Sequence, residues 1–312
     1  MERYKGLNVL VTGGAGYLGS HLVEKLIGIG AQVSVVDTML YGNKIRFKHK
    51  NLSVHKVDVM DMVRLSPLFK GQDIVFHLAA VVGVEETQLS PVSLLNTEVI
   101  GTSNVFKLSV ATKVKRLIFA SSSEVYGDYD KPMVENGVLA PRSTYALTKL
   151  VGEHYCTAYF KERGLEYTAL RYFNIYGGRQ DERFVLPRLI KKALRGETIQ
   201  IYGDGEQTRD FTYIEDSVNM TLLAGIEQEC RNQIINVGTG HAVSINMLTN
   251  MVLNEMNKKV KITHVDYEGS RPLDVEIFHR VADTRKARDL IGYRTLTPIE
   301  VGLSKYIEEV TA

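Results

Sequence analysis

The sequence predicts an α/β chain: a doubly wound parallel sheet covered by helices, with a smaller discontinuous α/β lobe behind it. Three observations carry this. Apolar strand-like runs alternate with longer amphipathic stretches through the first half; a glycine-rich turn joins the first strand to the first helix; beyond Asn174 short segments rich in glycine and charge replace the alternation. With 312 residues, 44% hydrophobic and 24% charged, the chain can bury such a core. A net charge of +2, with Lys and Arg scattered, lacks the basic stripe of a nucleic-acid binder.

The strands read as Asn8–Thr12, Gln32–Asp37, Leu52–Lys56, Ile74–His77, residues 116–120 and Tyr167–Tyr172. Residues 91–112 repeat apolar positions at helical spacing, and residues 143–162 open on Ser143 as an N-cap. In the second half, residues 198–202 read as a short segment, and 211–218 and 234–237 are expected to return to the main sheet. This divides the chain into residues 1–173 with about 211–238, and a lobe of about 174–210 with 239–312. Cys156 and Cys230 allow no disulfide framework, and no Cys/His spacing suits a metal. The start carries no targeting segment and no apolar run spans a bilayer, so a soluble cytoplasmic protein is expected.

The first strand ends in Val11-Thr12-Gly13-Gly14-Ala15-Gly16-Tyr17-Leu18-Gly19-Ser20, and a helical pattern follows. Gly13, Gly16 and Gly19 have separate steric tasks: the tight turn, close approach of backbone to a pyrophosphate, and packing of helix on strand. Amide donors at the helix start complete a Rossmann-type dinucleotide site. Asp37, ending the second strand, can accept from both ribose hydroxyls, and its charge favours NAD over NADP. The basic run 44–50 could in principle meet a 2′-phosphate, but a solvated loop is its commoner reading. Asp58 and Val59, past the third strand, can cap an adenine or simply end a strand.

Tyr145 and Lys149 lie four residues apart, so one helix face presents phenol and ammonium together. The cation can lower the phenol's pKa towards neutrality and make it a base. The serine run Ser121-Ser122-Ser123 ends the preceding strand at the carboxyl edge, where doubly wound sheets bind ligands, and supplies a hydroxyl to share a substrate proton. Ser, Tyr and Lys in this order fit a hydride-transfer site.

These stretches, with His77-Leu78-Ala79-Ala80, Tyr126-Gly127, Arg171-Tyr172-Phe173-Asn174, Tyr202-Gly203-Asp204-Gly205, Thr208-Arg209-Asp210-Phe211 and Arg271-Pro272-Leu273-Asp274, resemble the extended short-chain dehydrogenase/reductases, in particular the nucleotide-sugar epimerase/dehydratase family. The resemblance implies that Tyr17, Leu18, Asp58, Val59, Leu78, Ala79, Ala80 and Phe173 line NAD, with Tyr145 and Lys149 at its nicotinamide end. It assigns Ser122, Tyr145 and Lys149 to catalysis, and Ser122, Asn174, Arg209, Arg271 and Asp274 to a nucleotide-diphosphate sugar. Guanidinium forks suit a pyrophosphate and Asp274 suits hydroxyls. A homodimer paired through helices is implied as well.

The implied activity is a 4-epimerase of the UDP-glucose/UDP-galactose type working through a transient 4-keto sugar. Glu124 keeps a second outcome open, since dehydratases and UDP-glucuronate decarboxylases of the family resemble this sequence there and use a glutamate as base. A non-catalytic nucleotide sensor is disfavoured by the intact Ser122, Tyr145 and Lys149. Two departures from the family stand out: Glu98 where Asn is usual, and Val82 where some relatives carry Lys.

Overall fold

The computed structural model describes residues 1–81, 90–267, 273 and 276–311. Val82, Arg271 and Asp274 lie outside the described residues.

The first half builds β1 (Asn8–Thr12), α1 (Tyr17–Ile29), β2 (Gln32–Asp37), β3 (Leu52–Lys56), the one-turn α2 (Met62–Leu65) and β4 (Ile74–His77). After α3 (Pro91–Leu95), a π-helical turn (Asn96–Gly101) and α4 (Thr102–Ala111) come β5 (Arg116–Ser122), α5 (Thr144–Arg163) and β6 (Tyr167–Tyr172). The single helix expected over 91–112 is therefore interrupted, and β5 runs two residues further than read, to carry Ser122.

Beyond β6 the chain forms β7 (Ile175–Tyr176), α6 (Val185–Arg195), β8 (Ile199–Tyr202), β9 (Thr208–Arg209), β10 (Thr212–Tyr213) and α7 (Ile214–Ile226). It ends with β11 (Gln233–Val237), β12 (Val243–Ser244), α8 (Ile245–Glu255), β13 (Ile262–Val265), β14 (His279–Arg280), α9 (Arg285–Ile291) and α10 (Ile299–Thr311).

Seven strands make one parallel sheet in the order β11-β6-β5-β4-β1-β2-β3. Strand residues alternate between its faces and both faces are covered: Val9 and Val11 join one apolar core with Leu22, Leu26 and Phe76, while Leu10 joins the other with Phe106, Phe119 and Cys156. Two-sided burial explains why these strands read as continuous apolar runs. Between β1 and β4 the chain order reverses, which opens a crevice at the carboxyl ends of these strands.

Residues 234–237 return to the main sheet as expected, beside β6. Residues 211–218 do not. Their strand portion, β10, pairs with β7 in a separate two-stranded sheet, and α7 then covers β5 and β6 as a helix. The apolar pattern of this stretch faces the sheet without hydrogen-bonding to it, so strand and covering helix read alike. The distal strands pair among themselves: β8 with β13, and β9 between β12 and β14.

Two devices fix α5 on the sheet. Gly152 lies so close that a Cβ would stand 2.1 Å from the Phe119 ring. Next to it, the buried Arg171 of β6 donates from Nε and Nη2 to the Glu153 carboxylate at 2.8 and 2.7 Å, which also accepts from Ser121 Oγ at 2.5 Å. Such a forked pair fixes direction as well as distance.

Candidate active site

The turn after β1 is as tight as its glycines require. Gly13 has φ +70°, and a Cβ there would meet the Ala79 nitrogen at 2.6 Å; one on Gly19 would meet the Gly13 carbonyl at 2.2 Å. Gly16 is the extended N-cap of α1, whose first-turn amides therefore face the crevice. At the end of β2, Asp37 accepts from Ala15 N at 3.0 Å and Met39 N at 2.7 Å. Burial raises its pKa, while those amide bonds and one from Gly16 act to lower it. Leu78 N donates to Thr12 O at 3.0 Å, which sets Leu78, Ala79 and Ala80 against the turn, all partly buried. This cradle fits a dinucleotide: a backbone cleft closed to side chains, amide donors for a pyrophosphate, and a carboxylate one strand away for a ribose.

The other residues assigned to the cofactor have the following surroundings. Asp58 closes an Asx turn on Met60 N at 2.8 Å, and buried Val59 packs on Gly101. Leu18 packs partly buried against the core beneath the turn. The Tyr17 ring lies edge-on to His21 at 5.9 Å. Lys44 ties its loop down through its amide to Ala15 O at 2.9 Å and its ammonium to Asp181 at 3.6 Å. Arg46, Lys48 and Lys50 are exposed, as a solvated basic loop would be.

The catalytic candidates converge at the carboxyl end of β5. Ser143 caps α5 by accepting from Ala146 N at 3.0 Å, and this helix start delivers Tyr145 and Lys149 to the sheet edge. Ser122 ends β5, buried; its hydroxyl accepts from Glu124 N at 3.2 Å and acts to lower the pKa of the Tyr145 phenol. Gly127 follows at φ +72°, where a Cβ would strike the Ala140 carbonyl at 2.2 Å, so the chain can leave the site only through a glycine.

The expectation of a lone cation lowering the Tyr145 pKa is not met. Burial first, then Glu98 and Glu124, push the phenol above its ordinary value; Ser122 and Arg280 act to lower it. The Lys149 ammonium stands 5.4 Å from the Tyr145 ring centroid, but it is paired at 2.8 Å with the buried Glu98 carboxylate. His77, beneath them, is held neutral by burial and by Lys149, its pKa lowered to about 3, and it bridges Thr12 Oγ1 at 2.7 Å and Thr102 Oγ1 at 3.0 Å.

Glu124 points along the site edge. Its carboxylate accepts from Ser143 Oγ at 3.2 Å and stands 3.5 Å from Arg280 Nη1. The reading of the sequence missed Arg280, which follows the motif at 271–274. Among the described residues its Nε is buried without a partner, and so is the amide oxygen of Asn174. Arg209 is buried and ion-paired with Glu276, and it sits in register with Arg280 across β9 and β14. Phe173 is buried with Val125, Tyr126 and Met133 in a small cluster under the site. The remaining assignments, Arg271 and Asp274, fall outside the described residues.

Comparison with known proteins agrees with this geometry. A decarboxylase of UDP-N-acetyl-α-D-glucosaminuronate from Bacillus cytotoxicus is 35% identical over 96% of this chain and 96% of its own. The UDP-glucose 4-epimerase of Thermotoga maritima, solved with UDP-glucose, superposes with a TM-score of 0.91 at 33% identity, covering 98% of this chain and 99% of that one. A second UDP-glucose 4-epimerase, from Thermus thermophilus and solved with NAD, gives 0.90 at 28% identity over 98% and 99%. The family model described as NAD dependent epimerase/dehydratase family matches residues 9–238, from β1 through the end of β11. On its fold, its glycine cradle and this match, the chain is an enzyme of the NAD dependent epimerase/dehydratase family, with NAD as its cofactor.

Proposed function

We propose that the enzyme is a nucleotide-sugar 4-epimerase of the UDP-glucose/UDP-galactose type. The observation that carries this reading is the convergence of Ser122, Tyr145 and Lys149 at the sheet edge, next to the glycine cradle. Tyr145 takes the proton from the sugar 4-hydroxyl, and the hydroxyl of Ser122, at the end of β5, shares it. Lys149 holds positive charge beside the phenol while the proton moves. NAD supplies a hydride acceptor and donor at C4, held by Gly13, Gly16, Gly19, Asp37 and the backbone around Leu78 to Ala80. Arg209 and Arg271 hold the phosphates of the nucleotide-diphosphate sugar, while the unpaired amide oxygen of Asn174 and the carboxylate of Asp274 accept from its hydroxyl or N–H donors. Epimerisation then needs only that the 4-keto sugar turn over, so that hydride returns to C4 on its other face as Tyr145 gives the proton back to the oxygen.

One observation favours a second outcome. Glu124 and Arg280 form a carboxylate–guanidinium pair beside Tyr145, and a guanidinium with a free buried donor suits a sugar carboxylate at C6. A 4-keto uronate so held loses carbon dioxide readily, which agrees with the activity in the name of the Bacillus relative. The purified enzyme, given UDP-glucose, UDP-galactose, UDP-N-acetylglucosamine or UDP-glucuronate without added cofactor, separates the two. An epimer of a neutral sugar supports the first reading, and a decarboxylated pentose the second. No conversion of any of them sinks both.

The exposed apolar residues Val92, Leu95 and Ile100, with Leu147 on α5, support a homodimer in which a second copy covers these helices.

A further inference from the structure

The buried carboxylate that meets Lys149 belongs to no part of the mechanism just described, and the family usually has Asn at its position. The π-helical turn Asn96–Gly101 aims it: widening one turn of the helix swings Glu98 inward, and turns of this kind recur at functional sites. Both oxygens are used. Oε1 accepts from Val81 N at 2.7 Å and Oε2 meets Lys149 Nζ at 2.8 Å, with the two side chains only 2% and 3% exposed.

We propose that Glu98 is a positioning residue for the reaction: it anchors the Lys149 ammonium and offsets its positive charge beside the Tyr145 phenol.

The charges that face this group can be named. From α5 come Lys149 and Tyr145, and from β4 comes His77, held neutral. On the far side of the phenol stand Glu124 and Arg280, themselves a pair. Lys149 is thus the cation nearest Glu98, and Glu98 is the larger of the two anionic influences on the phenol. An amide in its place could keep the bond to Val81 N but would leave the ammonium uncompensated. Loss of the anion favours the phenolate, so Tyr145 becomes competent as a base at lower pH. A glutamate here trades base strength available near neutrality for a fixed lysine, and moves the working range of the enzyme upward in pH.

The inference rests on the acid–base role of Tyr145, and its test separates the two. In E98Q and E98N the acid limb of the kcat/KM profile, measured with whichever sugar nucleotide is converted, is expected to move down by about one pH unit. The ¹³Cζ NMR signal of Tyr145, identified by its loss in Y145F, is expected to begin titrating lower by a similar interval, with no substrate present. A fall in melting temperature with both profiles unmoved would overturn the inference and leave Glu98 a structural residue. So would failure of both variants to fold. Should Y145F turn substrate over normally, the proposed function itself fails, whatever E98Q does.

Discussion

On the proposed function Tyr145 and Ser122 act at one atom, so their removal should be felt in turnover more than in binding. Y145F is expected to lower kcat by about 10²–10⁴-fold, and S122A to fall in the same range, with little change in the affinity for a nucleotide diphosphate measured by calorimetry. An unchanged kcat in Y145F would take the phenol out of the reaction. A substitution at Arg280 separates the two proposed outcomes. If the substrate carries a carboxylate, R280Q should raise KM for the uronate by about tenfold or more while conversion of a neutral sugar stays close to its starting level. Equal losses on both would instead make Arg280 a support for Glu124, which it approaches at 3.5 Å.

Single elements hold these residues in place, and their stability can be read separately from the chemistry. Gly152 lets α5 sit on Phe119, so G152V should cost about 1–3 kcal/mol in chemical denaturation and shift the helix that bears Tyr145. R171M leaves the Glu153 carboxylate buried against Ser121 with its cation gone, and should cost about 3–5 kcal/mol; R171M/E153M should recover part of it. At this scale the sequence was most legible where burial imposes a pattern. The strands of the first half follow their apolar runs because both faces of the sheet are covered, and the glycines of the first turn follow from steric need alone. Legibility failed where the partner lies far along the chain. Residues 211–218 have the right apolarity for a strand, and only their tertiary partners make most of them a helix. Glu98 could be noticed as out of place, but Lys149, its partner, is 51 positions away and the turn that aims it has no signature in one sequence. Arg280 was unreadable for the same reason, since Glu124 joins it from the other half of the chain.

For the whole molecule, the exposed apolar residues on the helices at 91–101 and on α5 predict a homodimer in solution. Sedimentation velocity should give twice the chain mass, and I100D/L147D should give the monomer with its secondary structure intact; a monomeric wild type would remove this proposal. No helix among the described residues is long and apolar enough to cross a membrane.

The small sheet of β12, β9 and β14 gathers three distant stretches of chain, and Arg209 and Arg280 come to lie side by side in it. The groups proposed to move the substrate proton, by contrast, all lie before residue 150, on β5 and the start of α5. On the proposed function, the arginines that recognise the substrate and the groups that move its proton are thus written in separate parts of the gene. Exchanging the terminal segment with that of a relative should alter which sugar is accepted and leave the first proton transfer as it is, so a lineage built on this plan can change diet without relearning its chemistry.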